Sequence, residues 1–188
     1  TLAEVFDALR QLGSVTGIPN HAEDVIGVLT RRVDAVVSRS QTVQKHHKVA
    51  FLEWLDPPFS CGHWTPELVE MAGGIEGLGQ VGQPSRTLDW MEVITWQPEV
   101  IFIACCGFDL PSTLEELSNL SGISYWPELP AVKSGRVYVT DGSQFFSRPG
   151  PRLVDSLEIL AHALHPEVHP LPPGLSQDLA QPSLLPSY

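Results

Sequence analysis

SRTLDWMEVITWQPEVIFIACCGFD, Ser85 to Asp109, reads as a helix, a sharp stop, a buried strand and a loop, and the rest of the chain repeats that unit around it. Thr87 is the expected N-cap, and Asp89 in the first turn suits the positive end of the helix dipole. Helical spacing puts Trp90, Met91, Val93 and Ile94 on one side and Asp89, Glu92, Thr95 and Trp96 on the other. Gln97 precedes Pro98, which ends the helix. The run Val100 to Cys106 is continuously apolar and β-branched at its start, the pattern of a parallel strand covered on both faces. Gly107-Phe108-Asp109 then falls at the strand's carboxyl end, where open α/β sheets bind ligands.

Before this unit, Leu2, Val5, Phe6, Leu9 and Leu12 recur at helical spacing up to Gly13 and Gly17. Asn20 is the expected cap of a second helix over about residues 22–40, with Val25, Val28 or Leu29, Val33, Val36 and Val37 as its stripe. At 1.5 Å per residue that helix is roughly 30 Å long, enough to run the length of a domain. Val49 to Leu55 reads as a strand, and Asp56 to Trp64, with two prolines and a glycine, as an irregular loop carrying two aromatics and a histidine. Thr65 and Pro66 start a helix that Gly73-Gly74 ends. Beyond the central unit, Asp109 caps another helix, Arg136 to Thr140 is a further strand, Asp141 to Gly150 a loop, and Pro151 opens the last helix, stopped by His165-Pro166. This alternation predicts α/β architecture, a mostly parallel sheet with helices on both faces.

The chain of 188 residues is 43% apolar and 18% charged, ordinary for a soluble globular protein. No run is long enough to cross a bilayer and no signal peptide opens the chain. Thr1 starts inside a helical pattern, as in a fragment or processed form. A net charge of −11 with only 11 Lys and Arg argues against a nucleic-acid or anionic-membrane surface and leaves basic partners open. Three cysteines make no disulfide framework, and Cys105-Cys106 reads as small apolar residues of a core strand.

Signals for chemistry are sparse. No G-x-S-x-G or phosphate loop occurs, so nothing points to an enzyme or a resident cofactor. Cys61-Gly62-His63 lacks the second pair of ligands that a closed metal site needs, and no metal site is expected. His162, His165 and His169 are separated by Pro166 and read as a solvated terminus. The aromatics are more telling: Trp54, Phe59, Trp64, Phe108, Phe145 and Phe146 stand in or beside loops at one end of the expected sheet. Their convergence favours a concave apolar site for a large, flat or ring-rich ligand.

The motifs Phe51-Leu52-Glu53-Trp54 with Asp56-Pro57-Pro58-Phe59, Glu70-Met71-Ala72-Gly73-Gly74, Leu88-Asp89-Trp90-Met91-Glu92-Val93, Gln97-Pro98-Glu99-Val100-Ile101 and, most specifically, Phe145-Phe146-Ser147-Arg148-Pro149-Gly150-Pro151-Arg152-Leu153-Val154 resemble a known family. It is that of the solute-binding proteins of ABC importers for iron chelates, haem and corrinoids, in particular its cobalamin-binding branch. The resemblance implies the class III periplasmic-binding-protein fold, two Rossmann-like lobes joined by one long helix with the ligand clamped between them. Residues 1–20 would then end the amino-terminal lobe and 21–47 form the connecting helix and linker. Residues 48–166 would form the carboxyl-terminal lobe and 167–188 a Pro-rich, poorly ordered tail. Most of the first lobe is outside this sequence.

By position the resemblance implies that Trp54 and Phe59 line the corrinoid cleft and that Phe145 and Phe146 cover it from the side. It makes Glu92 the surface carboxylate that meets arginines of the permease. Arg86 stands near the family's binding tryptophan, a departure that favours an anionic chelate or a propionate-bearing ring. The expected ligand residues are therefore Trp54, Phe59, His63, Trp64, Arg86, Phe145 and Phe146. The expected function is delivery of cobalamin or a related corrinoid to an ABC importer at the periplasmic or extracellular face, with the membrane reached only through the permease or a lipid anchor. The alternatives are a haem or ferric-chelate binder, which Arg86 and His63 would serve, and a cytosolic protein of corrinoid metabolism built on the same lobe.

Overall fold

A computed structural model describes residues 1–175 and 178–182. In chain order it holds α1 (Leu2–Val15), α2 (Pro19–Ser40), β1 (His47–Leu55), β2 (Pro58–Ser60), α3 (Thr65–Met71), β3 (Gly74–Glu76), α4 (Trp90–Trp96) and β4 (Val100–Ile103). There follow α5 (Leu110–Glu116), α6 (Pro130–Lys133), β5 (Val137–Thr140), α7 (Gly142–Phe145), α8 (Leu153–Leu164) and β6 (Leu179–Ala180). Strands β3, β1, β4 and β5 pair in parallel. The edge partners are antiparallel, β2 on the second half of β1 and β6 on β5.

The alternation of side chains along a strand divides the core into two layers. Val49, Phe51, Val100 and Phe102 face α2, α3 and α8, and are packed there with Leu68, Leu157 and Leu160. Ala50, Leu52, Ile101 and Ile103 face the opposite layer, with Val93, Leu120 and Trp126. Both faces of β4 are covered, which is why its sequence is apolar throughout. α2 lies on the first layer through Ile26, Leu29, Val36 and Ser40 and is tied to α8 by Arg32, whose guanidinium reaches Asp155 (2.5 Å) and Glu158 (2.6 Å).

Several expectations are corrected. The α2 stripe is turned by part of a residue step, so Ile26 is buried and Val28 is 50% exposed; the helix opens at Pro19 with Ile18 at its uncapped N-terminus, ahead of Asn20. Leu12, given to the apolar face of α1, is also exposed. The loop after β1 contains a strand, β2, because Phe59 and Ser60 turn back to pair with Trp54 and Leu52. In α4 the N-cap is Asp89, not Thr87: Asp89 accepts from Met91 N, and Glu92 accepts from Asp89 N, a capping box. Met91 is exposed, whereas Trp96 turns inward over Gly77 and donates to Val49 O at 2.9 Å. Cys105 is buried as expected, but Cys106 lies past the end of β4 and is exposed, and Cys61 of the loop is buried as well.

The carboxyl-terminal segment differs most. Residues 167–175 and 178–182 fold back along the lobe, with Leu171, Leu175 and Leu179 against the core and Leu179–Ala180 paired to β5. His165 and His169 are each 2% exposed rather than solvated. His169 Nε2 lies 3.1 Å from Ser40 Oγ at the end of α2, and His162 Nδ1 donates to His169 O at 2.8 Å. The expected tail also includes residues 176–177 and 183–188, which lie outside the described residues.

Candidate functional site

The carboxyl ends of β1 and β4 open onto a cleft of about 230 Å³. Its residues come from five separate stretches of the chain. Glu53 stands near the end of β1, Gly62, His63 and Trp64 follow β2, Ser85 precedes α4, and Ala104, Cys106, Phe146 and Ser147 come from the loops after β4 and β5.

Local chemistry fixes each wall. Glu53 is held by Ser85 Oγ, which donates to Oε2 at 2.5 Å, and by Gly62 N on Oε1 at 3.3 Å. Burial pushes its carboxyl above the usual range, and these two hydrogen bonds oppose that shift. His63 adopts φ 53, a left-handed conformation enforced by paired bonds of its N–H to Gln83 O (2.7 Å) and of Gly82 N to its carbonyl (2.8 Å). Gly62 is obligatory beside it, because a Cβ there would collide with the backbone of Gln83 to Ser85. Trp64 donates from Nε1 to Phe146 O at 3.0 Å, which joins the β2–α3 loop to the loop after β5 and leaves the indole half-exposed beside His63, ring centroids 5.7 Å apart. The glycine-rich segment before Ser85 is organised by Glu76, whose carboxylate accepts from Leu78 N (2.7 Å), Gly79 N (3.0 Å) and Phe51 N (3.4 Å).

A second, wider depression of about 690 Å³ adjoins the first where residues 106–107 and 147–148 pass. It is lined by Phe108, Asp109, Ser112, Asp141, Arg148 and Arg152, among others. Asp109 and Asp141 are committed as N-caps of α5 and α7, accepting from Ser112 N and Gln144 N. Among the described residues Arg148 and Arg152 have no side-chain ion-pair or hydrogen-bond partner, so the rim presents two free guanidiniums. The arrangement suits the binding of a broad ligand by ring contacts, one protonatable carboxyl and cationic corners.

The sequence-expected residues are therefore divided. His63, Trp64 and Phe146 meet in the cleft. Phe146 contributes little of its ring, since at 3% exposure it packs on Phe51 (4.9 Å) and Phe102 (5.6 Å). Phe145 is a core residue, 2% exposed: Gly142 lies so close to the Cys105 carbonyl that α7 is drawn onto the sheet and both phenylalanines point inward. Trp54 and Phe59 are paired across the β1–β2 turn, on the other side of β1 from Glu53. Trp54 is half-buried, edge-on to Phe108 at 4.8 Å, with Nε1 donating to Asp56 O.

Arg86 does not reach the cleft. It forks onto Glu92 (2.8 and 3.3 Å) on the outer face of α4, so the carboxylate expected to be a free surface knob is paired as well as engaged in its helix cap. Sequence reading left Glu53, Cys106, Arg148 and Arg152 out of the site. The Arg148 and Arg152 pair was visible in its most specific motif, and Glu53 in its first.

A family model for periplasmic binding proteins matches residues 1–143. The vitamin B12-binding protein of Vibrio parahaemolyticus serotype O3:K6 (strain RIMD 2210633) is 22% identical over 167 residues, covering 86% of this chain and 56% of that protein. Two solved structures share the fold. A periplasmic binding protein from Veillonella parvula superposes with a TM-score of 0.74 at 21% identity over 88% of this chain and 57% of that one. IsdE of S. aureus, complexed with heme, superposes with a TM-score of 0.75 at 17% identity over 88% and 65%. The chain thus spans a little over half the length of the B12-binding protein and of the Veillonella protein. With a family model covering more than half its residues and this sheet carrying it, the chain belongs to the periplasmic binding protein family.

Proposed function

We propose that the full-length protein is the extracytoplasmic solute-binding component of an ABC importer, that it performs no chemistry, and that its cargo is cobalamin or a related corrinoid. The observation that carries this reading is the pair of adjoining depressions at the strand-carboxyl end, too broad and open for a small metabolite and edged by Trp64, His63 and Phe108. The B12 specificity named for the Vibrio relative supports it. In this reading the chain supplies one wall of the cleft, with Trp64 and the His63 ring against the flat face of the macrocycle and Glu53 bonding to an amide substituent.

A second reading, haem or a ferric chelate, is favoured by one observation, the unpartnered Arg148 and Arg152, which suit propionates or other carboxylates; a heme-bound structural neighbour is consistent with it. Calorimetric titration of the full-length protein with cyanocobalamin, haem and a ferric hydroxamate separates the readings. A corrinoid carrier binds cyanocobalamin with a dissociation constant at or below the micromolar range, roughly −8 kcal/mol, and the other two at least tenfold more weakly. Heat from haem alone would replace the first reading with the second.

Glu92 is proposed to dock on a basic rim of the permease, exchanging Arg86 for a permease arginine. Glu92→Arg would then leave cargo affinity intact and abolish uptake in cells lacking the native binding protein; normal uptake at equal expression would make Glu92 only a cap and surface partner.

A further inference from the structure

Away from the cleft, on the flank of the lobe, α2, α8 and the returning residues 169–172 enclose a groove of about 310 Å³. Its floor is apolar, with Val36 and Ala161 buried, and its rim carries Arg31, Arg32 and Arg39. Arg32 is neutralised by its fork onto Asp155 and Glu158. Arg31 and Arg39, eight residues apart on the same face of α2 and about 12 Å along its axis, have no side-chain partner among the described residues.

Like Arg148 and Arg152 at the cleft, these two lack a carboxylate partner among the described residues. Asp and Glu outnumber Lys and Arg by 22 to 11, and Arg10, Lys45, Arg86 and Lys133 all have carboxylate partners. Two cations left unanswered over an apolar floor, in a molecule with carboxylates to spare, make a local field opposite in sign to the whole.

The groove is also pre-shaped. The Arg32 fork fixes the spacing of α2 and α8, and the bond between His169 Nε2 and Ser40 Oγ fixes the third wall. The His169 ring lines the groove, and its Nδ1 is buried without a partner among the described residues, an uncompensated cost in that wall.

The geometry points to a second binding site, independent of the cargo cleft, for a small amphipathic anion: a carboxylate or phosphate held by the Arg31 and Arg39 guanidiniums, joined to an apolar body that lies on Val36 and Ala161. Guanidinium forks match planar and tetrahedral oxyanions alike, so the class is set by charge at one end and an apolar surface at the other.

The test uses the full-length protein and phenyl phosphate, followed by calorimetry, with inorganic phosphate as the probe lacking an apolar body. Phenyl phosphate is expected to bind and inorganic phosphate to bind several-fold more weakly. The R31Q/R39Q double variant should weaken phenyl phosphate binding by at least about tenfold. Because Arg31 and Arg39 are exposed and unpaired, the melting temperature of R31Q/R39Q should match wild type, and its cyanocobalamin titration should match too. Three results would overturn the proposal: no heat with phenyl phosphate, equal binding by R31Q/R39Q, or binding only to phosphatidylglycerol vesicles, which would make the Arg face a lipid surface instead.

Discussion

The two ends of the sheet are built from the same strands and serve opposite ends. At the carboxyl end of β1 and β4 the side chains stop short of one another, leaving Trp64 half-exposed and Arg148 and Arg152 without partners among the described residues. At the amino end four of the seven histidines close the lobe. His46 Nδ1 and His165 Nε2 both donate to Gly73 O (2.9 and 3.1 Å), and His47 stacks on His165 at 5.5 Å. Arg136 donates to His47 Nε2 and to Leu164 O, capping α8, while His169 is bonded to Ser40. The binding end keeps aromatic and cationic groups in reach of solvent and the opposite end packs its histidines into the lobe, so aromatic and titratable residues carry different meanings at the two.

Phe145→Ala sharpens the contrast most. Phe145 stood in the sequence as a ligand-covering aromatic, but it is buried under α8, and truncation should cost about 3–5 kcal/mol of stability with the cargo affinity of the folded fraction little changed. A mild loss of melting temperature together with lost affinity would return it to the cleft. Trp64→Ala should do the reverse at smaller scale, weakening cargo binding about tenfold or more, on the order of 1.4 kcal/mol, while the lobe stays folded. Unchanged affinity in that variant would break the assignment of the cleft.

How much of this was legible follows from range. The βα alternation, the doubly covered β4 and the Asp109 cap were readable because local pattern decides them. The site was half-readable: the loops after the strands were located, yet Phe145 and Phe146 turned inward because Gly142 brings α7 down on Cys105, a contact between distant positions. Arg86 was placed near the ligand by its position between motifs, and its pairing with Glu92 depends on where α4 begins. Met91 and Trp96 exchanged faces because a seven-residue helix gives the pattern fewer than two turns to settle its phase. The histidines at the chain's end were misread because proline-rich composition says nothing of whether a segment returns to the core, as the 165–175 segment does.

The closed end should be sensitive to acid. Burial, aided by Arg136, holds the His47 imidazole below its ordinary value against the pull of Glu99, with Lys45 and His165 also near. Burial, with His165, Arg39 and His162, likewise lowers His169 against Glu167. Both rings therefore take up protons more readily in the unfolded chain. Their contribution is complete above the unfolded value of about 6.5 and is lost as pH falls below it. Glu53 and Glu76, raised by burial, act in the opposite direction, so the diagnostic is a difference: thermal melts from neutral to mildly acidic pH should fall less steeply for H47Q and H169Q than for wild type. Parallel curves would show that these histidines do not titrate in the fold.

The contrast between an open binding end and a closed one is tested most directly by amide hydrogen exchange of the full-length protein with and without saturating cyanocobalamin. Within this chain, slowed exchange is expected at Gly62 to Trp64, at Cys106 to Asp109 and at Phe146 to Arg148, with none at His46 to Lys48 or His162 to His169. Protection centred on the histidine end, or no protection at the strand-carboxyl loops while the ligand is bound, would contradict it.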